Sequence, residues 1–172
     1  MRRVGSFFVG LVILLSTTHE GQGQAGVYPL KGIKKVTVSA VFQVTQGPPP
    51  SLSRDRLQTV TELRLRTGGL TVLSAAEDQQ DREVNPSVTV SVAMLPAQNS
   101  TGVNLGFAFV TMVYVHELSL SPRNGARVPL ELWADSSINI TSPTQAAQEV
   151  ERVVGALLDE FLNEWLKANP KQ

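Results

Sequence analysis

The stretch Ser87-Val88-Thr89-Val90-Ser91-Val92-Ala93-Met94 alternates small and apolar residues without a break. Successive side chains of a strand point to opposite faces, so this pattern requires a sheet with one buried face and one wetted face. Such a sheet needs a single covering layer, and the C-terminal part of the chain supplies one. Pro143 is expected to open a long amphipathic helix, where its missing N–H costs nothing. Ala146, Ala147, Val150, Val153, Val154, Leu157, Leu158, Phe161, Leu162 and Trp165 then recur at spacings of three and four, and Asn169-Pro170 closes the helix.

The remaining elements follow from the same signals. Ile33 to Val44 reads as a strand, with Val36, Val38, Ala40, Phe42 and Val44 on one face, and Gly47-Pro48-Pro49-Pro50 ends it. Ser53 is suited to cap a helix whose apolar side is expected at Leu57, Val60 and Leu63, with Leu65 flanking, and Gly68-Gly69 stops it. Leu70 to Leu73 is a short strand, and Ser74 to Pro86 reads as a long polar loop. After the alternating strand come Gly106 to Leu120, apolar on both faces, and Arg127 to Ser137. The fold class is therefore α+β: a two-layer sandwich in the order β-α-β-β-β-β-α, with two helices on one face of a mixed, mostly antiparallel sheet. Residues 33–170 are expected to form this single domain, behind an N-terminal extension at 26–32.

Asn124-Gly125 is a strong hairpin signal, and a two-residue turn there sets a register. It places His116 opposite Trp133, Leu118 opposite Glu131 and Tyr114 opposite Asp135, all on one face. Val113, Val115, Leu130, Leu132 and Ala134 fall on the other, more uniformly apolar face, which is expected to meet the helices. Tyr114, His116, Glu131 and Trp133 then form an exposed aromatic patch with polar neighbours, the candidate binding surface.

The first 25 residues read differently. Met1-Arg2-Arg3 precedes an apolar run from Val4 to Leu15, and Gly23 and Ala25 stand like the small residues before a signal-peptidase cut between Ala25 and Gly26. The run is about 12 residues, short of the roughly 20 that a spanning helix needs. Residues 1–25 are thus expected to be a cleaved export signal, with no membrane span after cleavage. The chain has no cysteine, which for an exported domain of this size points to a bacterial periplasm or envelope rather than a disulfide-built secreted fold. With 15 basic and 15 acidic residues it lacks the cationic surplus that phosphate backbones require, so nucleic acid is not an expected partner.

Chemistry-bearing motifs are sparse. Gly21-Gln22-Gly23-Gln24-Ala25-Gly26 has the glycine spacing of a dinucleotide loop, but an export signal precedes it where a strand is needed. Beyond the signal the only histidine is His116, so no histidine-rich metal site or cysteine nucleophile can be built within one chain, and no cofactor is implied. In its strand-helix-strand opening (Val36 to Val44, then Leu57 to Gly69-Leu70-Thr71-Val72) and closing helix (Leu157-Leu158-Asp159-Glu160-Phe161), the chain resembles small exported bacterial proteins of unknown function. Its element order is similar to the N-terminal domain of the translocation protein TolB. That resemblance implies protein contacts within the cell envelope and carries over no catalytic residue. Three readings result: a non-catalytic envelope protein-interaction domain, a small-substrate enzyme using Tyr114, His116 and Glu131, or a carrier of an apolar ligand between sheet and helices.

Overall fold

The computed structural model describes residues 29–45, 52–81 and 84–170. The elements run β1 (Lys35–Val44), α1 (Arg54–Gly68), β2 (Thr71–Leu73), α2 (Ala75–Gln80), β3 (Ser87–Gln98), β4 (Asn104–Leu120), β5 (Arg127–Thr141) and α3 (Ala146–Ala168). They build one five-stranded sheet in the order β2-β1-β3-β4-β5. β1 lies parallel to both β2 and β3, while β3–β4 and β4–β5 are antiparallel. The expected α+β sandwich with one covered face is what the chain forms, with the expected elements in the expected order and one short helix added. The expected export signal and its expected cleavage site, Ala25 and Gly26, lie outside the described residues.

The added helix, α2, occupies part of the segment that reads as a loop. Its signal is present in the sequence as Ser74-Ala75-Ala76-Glu77, a reciprocal cap. The Ser74 hydroxyl accepts from the Glu77 N–H, and the Glu77 carboxylate accepts from the Ser74 N–H at 2.7 Å. That bond to the Ser74 backbone holds the Glu77 carboxyl below its ordinary range.

α1 begins where Ser53 caps it and ends at Gly69, whose φ of 104° lets its N–H turn back to the Arg66 carbonyl. Its buried stripe is Leu57, Thr61 and Leu65, not Leu57, Val60 and Leu63; Leu63 points to solvent. Spacings of four select that stripe. Thr61 fits within it because its hydroxyl donates to the Leu57 carbonyl at 2.8 Å, which leaves only its methyl for the core. At α3, Pro143 sits in the preceding turn rather than in the helix, which starts at Ala146 with Gln145 as its cap.

The core lies between the sheet and the two long helices. Val36 and Ala40 of β1, Val88, Val90, Val92 and Met94 of β3, and Phe107, Phe109, Val113 and Val115 of β4 point into it. α3 contributes ten buried residues from Ala146 to Ala168. Side chains fill the layer where an apolar ligand would have to sit, with Phe109, Phe161, Leu57 and Leu65 all fully buried there. Arg56 with Glu151 and Arg64 with Asp159 tie α1 to α3 at the surface, where exposed pairs of this kind contribute little.

Candidate interaction face

The uncovered face is built from the alternate residues of four strands. Thr37 and Ser39 of β1, then Ser87, Thr89 and Ser91 of β3, give its polar half. Tyr114 and His116 of β4 follow, their rings stacked with centroids 5.6 Å apart. His116 lies opposite Ser87 on one side and Glu131 on the other, so Tyr114, His116 and Glu131 share the open face. The His116 Nδ1 is buried and has no hydrogen-bond partner among the described residues.

Trp133 does not join them. The hairpin loop spans Ser121 to Ala126, and pairing starts at Leu120 opposite Arg127. Pro122 has no N–H to contribute to a tighter ladder, and the loop closes through Ser121 N–H to Ala126 carbonyl at 2.8 Å and Gly125 N–H to Ser121 carbonyl at 2.9 Å. The loop is centred between Arg123 and Asn124 rather than between Asn124 and Gly125, which shifts the register by two and keeps every residue on its face, so Leu118 and Glu131 stay on the open side. A bulge between Val115 and His116 then inserts Leu132 as an extra residue in β5. One extra residue inverts the faces of all that follows. Trp133 pairs with Val115 and Asp135 with Val113 on the helix side, while Ala134 turns to the open face opposite Tyr114. The Trp133 ring packs against Phe161 at 5.4 Å, and Leu130 lies exposed instead of against the helices.

Trp133→Ala is therefore expected to destabilise the domain, by about 2 kcal/mol for a half-buried ring against the core. Denaturant melts check this; a stability equal to that of the unsubstituted chain would return Trp133 to the surface. Beside this ring Glu160 shares a hydrogen bond with Asp135, and that bond, then the repulsion between the two carboxylates, pushes the Glu160 carboxyl above its ordinary range.

Beyond the bulge, β5 contradicts its own sequence pattern. It runs on to Thr141, past the expected end at Ser137, and alternates Ser136, Ile138 and Ile140 against Ser137, Asn139 and Thr141. A free-standing domain would turn the isoleucines inward. Instead Ile138 and Ile140 lie on the open face at 77% and 79% exposure, and Asn139 and Ser137 point to the helix side, bonded to each other at 2.8 Å. Two rows run across three strands: Ala93–Val110–Ile138 and Leu95–Ala108–Ile140. Exposed Met112 adjoins them, between Ser91 and Ser136. Gly106 permits the close approach at this end, since a Cβ on it would run into the Thr141 carbonyl. The sequence reading missed these residues because it ended the strand before them, although Ile138-Asn139-Ile140-Thr141 continues the alternation.

The surface also holds an open groove lined by Thr37, Asp78, Asp81, Asn85, His116, Glu117 and Arg127. Of Tyr114, His116 and Glu131 only His116 lines it, so the groove does not gather the three groups of the enzymatic reading. Among the described residues no cluster of histidine and carboxylates could hold a metal ion. No helix among them is long and apolar enough to cross a membrane.

No family model matches the chain, and no curated protein does. Solved structures do. A PelC dodecamer from Paraburkholderia phytofirmans is 15% identical over 78% of this chain and 90% of that one, with a TM-score of 0.40. A hypothetical protein from Chlamydia trachomatis is 9% identical over 78% and 99%, at 0.44. A lipoprotein from Neisseria meningitidis is 12% identical over 76% and 99%, at 0.39.

Proposed function

We propose that this chain is a non-catalytic, exported envelope domain that binds another protein through the open face of its sheet and the free edge of β5. The inverted pattern of β5 carries the reading. A strand that turns Ile138 and Ile140 to solvent and Asn139 inward is poorly built for a lone domain and well built for an interface. Among the described residues no strand pairs with the outer edge of β5, a strand of 15 residues that a partner strand can extend. Tyr114, His116 and Glu131 continue the same face toward the hairpin and give the apolar rows a polar border. The expected export signal, the lack of cysteine and the resemblance in element order to the TolB N-terminal domain support the envelope as the setting.

Ile138→Ser with Ile140→Ser is expected to change stability by less than about 0.5 kcal/mol, because both side chains are exposed. It is also expected to abolish a discrete photo-crosslinked adduct formed from Met112 in the native envelope. No adduct from the unsubstituted face, or one that survives both substitutions, would overturn the proposal.

A further inference from the structure

At the opposite end of the sheet, the β4–β5 hairpin runs past the helix layer, and its tip is apolar on both sides. Leu118 and Leu120 lie on the open face and Val128 and Leu130 on the other, all between 42% and 65% exposed. A ribbon apolar on both sides can be surrounded by the interfacial layer of a bilayer. From Leu118 to Leu130 the charged residues are Arg123 and Arg127, with Glu117 and Glu131 just behind the tip. Neither arginine has an ion-pair partner among the described residues. The chain enters the fold at this same pole: Pro29, Lys31 and Lys34 line a groove with Glu117 at the base of the hairpin. Lys31 and Lys34 are exposed there and add positive charge at this pole.

We propose that this tip is a membrane-contacting element. Leu118, Leu120, Val128 and Leu130 seat in the interfacial layer of a bilayer, while Arg123 and Arg127 meet the phosphates of anionic lipids. Shallow burial of apolar side chains and attraction between basic residues and an anionic surface are the two terms that hold such elements. The tip lies at the end of the sheet opposite Ile138 and Ile140, so either assignment can fail without the other.

The test places a reporter at the tip of the full chain. Leu120→Trp adds an indole there, and the chain without that substitution gives the background from Trp133 and Trp165. Vesicles of equal parts phosphatidylglycerol and phosphatidylcholine, brominated in the acyl chains, should quench the added fluorescence, and pure phosphatidylcholine vesicles should do so far less. Adding Arg123→Gln and Arg127→Gln should weaken the vesicle binding read by this quenching about fivefold for each charge removed. Leu118→Trp serves the same measurement if the first variant does not fold. Absence of quenching above background, equal quenching by neutral vesicles, or indifference to the arginine substitutions overturns the proposal. A photo-crosslinker at Leu130 that captures a protein while the vesicles quench nothing assigns the tip to a protein contact instead.

Discussion

Phe161→Ala is expected to cost the domain about 3–5 kcal/mol, the usual loss for a fully buried aromatic side chain. Phe161 is fully buried midway along the apolar stripe of α3, and its ring lies against Trp133. Truncation leaves a cavity that the sheet and α1 cannot close without disturbing fully buried neighbours such as Leu158 and Phe109. It also strips Trp133 of its packing partner. For a domain of this size the thermal midpoint should fall by roughly 10–20 °C. Denaturant melts and calorimetry read the effect directly, with Asn163→Ala, two residues on and exposed, as the control expected within about 0.5 kcal/mol. A loss below about 1 kcal/mol for Phe161→Ala would mean that the stripe of α3 does not face the sheet.

Trp165→Ala should be of similar size, about 3–5 kcal/mol, and for an additional reason. The indole is buried over Gly69, and its Nε1–H donates to the Ile33 carbonyl at 2.8 Å. Asn169 completes the link to the N-terminal strap: its Oδ1 accepts from Gly32 N–H at 2.7 Å and its Nδ2 donates to the Leu30 carbonyl at 2.8 Å. Trp165→Phe keeps most of the apolar area and removes only the donor, so it should cost about 1–3 kcal/mol, the range for leaving a buried acceptor unmade. Hydrogen exchange at Lys34 and Lys35 should quicken in both variants. Equal stability of the alanine and phenylalanine variants would show that packing contributes nothing there.

Most of the fold was legible because it rests on periodicity. The alternation from Ser87 to Met94 sorted its residues onto the two faces as observed, and the three-four spacing from Ala146 to Trp165 marked the buried stripe of α3. What escaped were features that break a period rather than express one. Leu132 shifts the faces of β5 by its presence alone, and its single trace in the sequence is the adjacent apolar pair Leu132-Trp133, which an alternating strand should not contain. Thr61 is a polar residue made apolar by a bond to its own helix, which a count of hydrophobic residues overlooks. The candidate face was half legible for the same reason. Tyr114, His116 and Glu131 lie on strand segments whose faces the bulge leaves unchanged; Trp133 follows it and is inverted. Ile138 and Ile140 point away from the helices against the ordinary rule, so an inward-facing assignment was the one that pattern alone would favour.

The ten buried residues of α3 have a bearing on when the chain can fold at all. Until that helix is synthesised, only α1 is there to cover the sheet, and Phe109, Val113 and Val115 of β4 lack the stripe of α3 that packs on that strand. Pairing along the full length of β1 waits as well, since β2 matches only three of its residues and its longer parallel neighbour β3 arrives after α1, β2 and α2 have emerged. Completion of such a core is expected to wait for the end of synthesis, and a nascent chain halted before Ala146 lacks the ten residues that α3 buries. A polypeptide that stays open until its final helix is made is also one that a narrow translocation channel can still thread.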